Sequence, residues 1–229
     1  FEDIQPDIQP VAGGDVDMIL KVKEKQTGQF MFGMAYSAQT SASGFIQVAE
    51  SNFRGKGQNI GVTWQFGSRQ RYVDLSFTEP WFRGTPTLLG FSLFNTHRER
   101  DLYEDKRTGG SARIGRPLPW PDYSRGSLSY RLENVRITQL GDSLSPEDST
   151  VLAGVRVGEG VLTSSVELNF SRNSTDNPFY PTRGTRLTIE SEIAGGPFGG
   201  AVHFNKDRIE GRLYLPSLVK GLTTMIKGR

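Results

Sequence analysis

Cysteine is missing from all 229 residues, which excludes a thiolate metal site, a disulfide framework and a thiol nucleophile. Histidine is almost missing: His97 and His203 stand far apart with no His-x-x-x-His spacing, so no metal-ligand set and no catalytic triad is supported. An excess of either charge is lacking as well. The 27 basic and 25 acidic residues leave a net charge of +2, and no dense Lys/Arg patch points to nucleic acid. The lone glycine–lysine cluster Gly55-Lys56-Gly57 lacks the spacing of a phosphate-binding loop. No cofactor and no catalytic residue is expected.

Long apolar runs are absent too. Hydrophobic residues make up 35% of the chain and the mean hydropathy is −0.44. The longest stretch free of Asp, Glu, Lys and Arg, Gln26–Ala49, is full of Gln, Ser, Thr and Gly, whereas a spanning helix needs roughly 20 mostly apolar residues. Helical spans are thereby excluded. A membrane β-barrel is not, because only alternate residues of its strands meet lipid.

What is present is alternation. Phe30, Phe32, Met34 and Tyr36 share one face of a strand whose other face carries Met31, Gly33 and Ala35. Ile60, Val62, Trp64 and Phe66 alternate with Gly61, Thr63 and Gln65, and Val73, Leu75 and Phe77 with Asp74 and Ser76. The pattern predicts strands near 29–38, 44–52, 58–67, 71–80, 87–98, 109–118, 124–135, 161–173, 185–194 and 201–215, with another begun at 222–229. Gly (27 residues) and Pro (12) punctuate these short elements.

A soluble all-β binding domain would alternate in the same way. Two features favour a barrel over it. Many segments reach the roughly 9–11 residues that cross a bilayer at a tilt, against about 5–6 for soluble strands. The second face mixes Gly, Ser, Thr, Gln, Arg and Glu, as at Arg186, Thr188, Glu190 and Glu192, which suits a wet lumen. Compact turns (Asn52–Gln58, Pro80–Pro86, Pro117–Tyr123, Asn177–Gly184, Pro216–Gly221) alternate with connections that include a charged loop, His97–Thr108, and a long one, Asn134–Gly160. Phe53, Trp81, Phe82, Trp120, Tyr123, Phe179 and Tyr180 gather at the compact turns, as in an interfacial belt. Before the first barrel strand, Phe1–Gln5 and Val16–Glu24 read as two short strands around a Pro6–Gly14 link.

Four segments, in order, resemble the BamA family of barrel-assembly factors. Val16-Asp17-Met18-Ile19-Leu20-Lys21-Val22-Lys23-Glu24-Lys25-Gln26-Thr27-Gly28 resembles the exit of the last POTRA domain into the first barrel strand. Asn52-Phe53-Arg54-Gly55-Lys56-Gly57-Gln58 is similar to the turn between the second and third strands. Leu75-Ser76-Phe77-Thr78-Glu79-Pro80-Trp81-Phe82 is similar to the fourth-strand ending, and Asp176-Asn177-Pro178-Phe179-Tyr180-Pro181-Thr182-Arg183-Gly184 to the turn before the ninth.

The resemblance implies an all-β, transmembrane antiparallel β-barrel with ten to eleven of about sixteen strands present. It divides the chain into residues 1–25, the end of a POTRA domain, and 26–229, the first part of the barrel, and makes it an internal portion of a longer protein. It further implies a non-enzymatic factor of the bacterial outer membrane, its N-terminal segment in the periplasm, that folds and inserts β-barrel proteins without nucleotide hydrolysis. Unfolded outer-membrane proteins, membrane lipids and accessory lipoproteins are the partners it implies. A TamA-like factor or a two-partner secretion transporter is the alternative within the superfamily. Gly28, Gln29, Phe30, Met31, Phe32, Gly33, Met34, Ala35 and Tyr36 would form one side of a lateral gate, with Gly28 and Gly33 either easing its opening or relieving curvature. Asn52, Phe53, Gly55, Gly57, Glu79, Pro80, Trp81, Asp176, Asn177, Pro178, Pro181 and Gly184 would be structural turn residues. Glu79 and Asp176 read as solvated rim carboxylates, with contact to a preceding domain or a lipoprotein as the alternative.

Overall fold

The structure, a computed structural model, describes residues 2–10, 16–38, 41–100, 102–140, 157–217 and 221–229. Two strands, β1 (Asp3–Pro10) and β2 (Val16–Lys23), pair antiparallel as a sheet of their own. Eleven more form one continuous antiparallel sheet in chain order: β3 (Gly28–Ser37), β4 (Ser41–Phe53), β5 (Gln58–Gly67), β6 (Gln70–Glu79), β7 (Leu88–Glu99), β8 (Tyr103–Pro117), β9 (Ser124–Leu140), β10 (Gly160–Asn173), β11 (Gly184–Ala194), β12 (Phe204–Pro216) and β13 (Thr223–Gly228). No described helix is long and apolar enough to cross a membrane.

Three expectations need correction. The strand expected at Phe1–Gln5 runs on to Pro10, so Pro6–Pro10 is strand and not link; Phe1 and residues 11–14 lie outside the described residues. Proline survives there because a strand with one unpaired side has no ladder partner to disappoint. The charged loop His97–Thr108 is mostly hairpin: β7 and β8 stay paired to Glu99↔Glu104. Charges hold it together. His97 Nε2 meets Glu104 at 2.5 Å, and Asp105, its side chain 3% exposed, accepts from Arg100 Nε (3.2 Å) and Arg107 Nε (3.0 Å). The connection expected at Asn134–Gly160 begins later, because β9 continues to Leu140; residues 141–156 lie outside the described residues.

Register assigns the faces, since directly opposed residues in a ladder point the same way. One row runs Phe30, Val48, Val62, Leu75, Leu93, Gly110, Leu132. A lower one runs Ile60, Phe77, Phe91, Ala112, Tyr130, Val166, Ile193. The opposite face carries Gly61, Ser76, Ser92, Ser111, Arg131 and Ser165 in one row. Farther on it carries the charges Glu192↔Lys206, Glu190↔Arg208 and Arg212↔Lys227. One face is an apolar belt and the other a polar wall, as a barrel with a wet interior requires.

Burial decides against the soluble alternative. Among the described residues only two apolar side chains, Ala194 and Tyr214, are buried. A soluble sandwich must fold two sheets onto each other to hide its apolar faces. Here a single sheet leaves its belt outward, where lipid is the covering that makes it stable. The strands fit that setting: β8, β9 and β10 have 15, 17 and 14 residues, more than the roughly 9–11 that a crossing takes.

Candidate functional site

The candidate gate residues all lie on β3. The strand pairs with β4 from Gly28↔Glu50 to Ser37↔Ser41 and stands at one edge of the sheet, its other side bonded to no described strand. Its outward side chains are among the barest in the chain, with Phe32 76%, Met34 92% and Tyr36 82% exposed.

The glycines of this edge seat aromatic rings. A Cβ on Gly33 would lie 2.6 Å from Cε1 of Phe45, the residue opposite it, and one on Gly44 would lie 2.8 Å from the Phe66 ring. Covering a strand glycine with a cross-strand ring recovers apolar contact that the glycine cannot make itself.

The base of β3 is tied down. Thr27 Oγ1 donates to Glu50 Oε1, Asn52 N donates to the same oxygen (2.9 Å), and Ser51 Oγ donates to the Thr27 carbonyl (3.4 Å). Together with Lys25 and Gly55, Thr27, Glu50 and Asn52 line a cleft of about 720 Å³ where the chain enters the sheet. The strand is therefore anchored at one end.

Each turn motif is closed by a side chain that satisfies its backbone. Asn52 Oδ1 accepts from Gly57 N (2.7 Å), while Arg54, Gly55 and Gly57 take positive φ. Arg54 lies over the Phe53 ring at 5.5 Å. Glu79 joins two turns: one oxygen accepts from Gln58 Nε2 (2.6 Å), the other from Trp81 N (3.1 Å), so it is bound within the rim rather than free in solvent.

Asp176 organises the third turn more than Pro178 and Pro181 do. Its Oδ1 accepts from the amides of Asn177 (3.0 Å), Thr182 (2.9 Å) and Arg183 (3.2 Å), and its Oδ2 accepts from the Thr182 hydroxyl. These bonds, the Thr182 hydroxyl first, hold the carboxyl down to about 2. Asn177 Oδ1 takes the amides of Phe179 and Tyr180 at 2.8 and 3.0 Å. Gly184 closes the loop at φ 112°, where a Cβ would stand 2.4 Å from the Ser174 carbonyl oxygen. The turn thereby presents Phe179 and Tyr180 at 85% and 82% exposure, and Trp120 and Tyr123 of the neighbouring turn are 81% and 75% exposed.

Sequence reasoning missed the Asp105 cluster, hidden in what read as a charged loop. It also missed His203, whose Nδ1 accepts from Gly196 N (3.0 Å) at the bend after β11. The close approach of Gly195, where a Cβ would stand 2.2 Å from that ring nitrogen, was signalled only by the pair Gly195-Gly196. With His97 on Glu104 and His203 on a backbone amide, both histidines serve local structure.

Residues 52–227 match the Omp85 superfamily domain. The outer membrane protein assembly factor BamA of Nitratidesulfovibrio vulgaris is 29% identical over 217 residues, spanning 93% of this chain and 26% of the relative. Its name is that of an assembly factor and not of an enzyme. The crystal structure of BamA from Haemophilus ducreyi lacking POTRA domains 1–3 superposes with a TM-score of 0.67 at 21% identity, over 96% of this chain and 43% of that one. CdiB from Escherichia coli follows at 0.51 and 15% identity, over 98% and 44%. The chain thus spans about a quarter of the curated relative it matches, and the two structures show a shared fold. With the apolar outer belt, the polar wall and a family match over most of its length, the chain belongs to the Omp85 superfamily as part of an outer-membrane β-barrel.

Proposed function

We propose that this chain is the barrel portion of an outer-membrane assembly factor that folds and inserts other β-barrel proteins through a gate at β3, without nucleotide hydrolysis. The observation that carries the reading is the Omp85 match over residues 52–227, with β3 tied down at its base by Glu50 and its outward side chains bare. A strand with unsatisfied edge groups templates an incoming strand by β-augmentation, and main-chain hydrogen bonds accept any client sequence. No chemical bond changes, so no cofactor is required. The likeness to proteins named as assembly factors supports the same function.

In this reading β1 and β2 close a POTRA domain in the periplasm, the compact turns face the periplasm, and accessory lipoproteins dock on that side. Unfolded outer-membrane proteins are the clients. These 229 residues hold no cysteine, so with any cysteine elsewhere in the parent replaced, crosslinking tests the gate. Single cysteines at Gln29, Met31 and Gly33 in the full-length parent should form disulfides with cysteines placed along a client's terminal strand during insertion into liposomes. The crosslinks should follow one register. Efficient insertion with no β3 crosslink at any register overturns the gate. A two-partner secretion transporter is the second reading, favoured by the fold shared with CdiB. It predicts export of one cognate protein and no insertion of barrel clients.

A further inference from the structure

The apolar belt is not smooth. On the outward face of β8–β11 lies a groove of about 620 Å³, walled by Ile114, Leu128, Leu168, Phe170 and Ile189, with Leu118 at its end. Its floor is Gly126, where a Cβ would meet only Leu118, at 3.5 Å. Gly126 lies between Arg116 on β8 and Phe170 on β10, on the same face. β8 and β10 are two strand spacings apart, roughly 10 Å, so the missing side chain leaves a trench wide enough for one extended acyl chain.

Charge identifies the occupant's other end. Arg116 is exposed on the lipid-facing side, one residue before β8 ends at the compact-turn rim, and its side chain makes no hydrogen bond or ion pair among the described residues. Arg172 stands on the same face, with its Nε on the Asp122 carbonyl oxygen (3.2 Å). The acidic residues of this part of the rim are Asp122, in the turn after β8, and Asp176, in the next turn, whose carboxylate is held by the amides and hydroxyl of its own turn. An unpaired guanidinium beside hydrocarbon is costly unless an anion meets it, and a phosphate matches its fork of donors.

We propose that this groove binds an anionic phospholipid of the leaflet at the compact-turn rim, one acyl chain lying over Gly126 and the headgroup phosphate on Arg116. The site rests on the barrel fold alone and stands whether or not the protein assembles clients.

The test uses the full-length parent reconstituted with spin-labelled phosphatidylglycerol or phosphatidylcholine, measuring the motionally restricted fraction of each. The wild type should select phosphatidylglycerol. Arg116→Gln, which breaks no internal bond, should lower that selectivity about fivefold, roughly what one arginine near an anionic surface contributes. Gly126→Leu fills the trench and should reduce the restricted fraction of both lipids, with folding checked by heat-modifiable gel migration. If Gly126→Leu does not fold, Arg116→Gln decides alone. Equal restriction of both lipids in the wild type, or unchanged selectivity in Arg116→Gln, means ordinary boundary lipid and overturns the proposal.

Discussion

Two parts of one sheet solve opposite problems. In the β7–β10 wall every strand is paired on both sides, and β8 and β9 remain in register from Asp105↔Ile137 to Pro117↔Arg125. At β3, a strand of 10 residues, β4 is the one described strand that pairs with it. The glycines sharpen the contrast. In the wall, a Cβ on Gly109 would stand 2.5 Å from the Leu132 carbonyl oxygen and 2.8 Å from Glu133 Cα, both backbone. At the edge, a Cβ on Gly33 would press on the Phe45 ring, which can swing aside. Rigidity in the wall is built from main chain; adaptability at the edge comes from side chains that move. Within one fold, the local neighbour decides whether a glycine is a structural requirement or a convenience.

The largest effect should come from the wall. Gly109→Ala should destabilise the full-length barrel by about 3 kcal/mol, the upper part of the range for overpacking, read as a lower urea midpoint. Next comes Asp105→Ala. Removing one partner of a buried ion pair costs roughly 3–5 kcal/mol, but Arg100 and Arg107 are 42% and 43% exposed and can turn to water. About 2 kcal/mol is therefore expected, with faster proteolysis of the β7–β8 hairpin. Gly33→Ala should cost about 1 kcal/mol, the strain of one displaced ring. A cost at Gly33 equal to that at Gly109 would break the comparison.

The smallest effect lies at the rim and depends on pH. Asp176 is held down to about 2 from the usual 3.8 by bonds that exist in the folded turn. A carboxyl depressed by folding stabilises above its ordinary value and loses that contribution as pH falls toward the folded one. Asp176→Asn keeps one acceptor oxygen but removes the partner of the Thr182 hydroxyl. Its urea midpoint should lie below the wild type's at pH 7, and the two should converge between pH 4 and pH 2, with β3 unaffected.

Much of this was readable from alternation alone. Expected bounds such as 58–67 and 124–135 meet β5 (Gln58–Gly67) and β9 (Ser124–Leu140) at their starts, because a lipid face opposite a wet face imposes period two on every crossing strand. The signal fails where both faces are wet. Between His97 and Thr108 the apolar residues are the adjacent Leu102 and Tyr103, which give no alternation to mark a side, so a paired hairpin read as a loop. Asp105 could not be found there, since Arg100 reaches it only when the β7–β8 hairpin folds back. The rings over Gly33 and Gly44 were hidden for the same reason: Phe45 and Phe66 reach them across strands, at distances no linear pattern encodes. Gly184 was readable, because a Pro-Thr-Arg-Gly ending demands a residue that tolerates positive φ.

The most direct test of β3 as the client-accepting edge is amide hydrogen exchange of the full-length protein in lipid nanodiscs, with and without a bound client. Amides of Gly28–Ser37 should exchange much faster than those of Tyr103–Pro117 and Ser124–Leu140, and become protected when the client is added while the wall stays unchanged. Protection of β3 equal to that of the wall, and unaltered by the client, would contradict a gate at this strand.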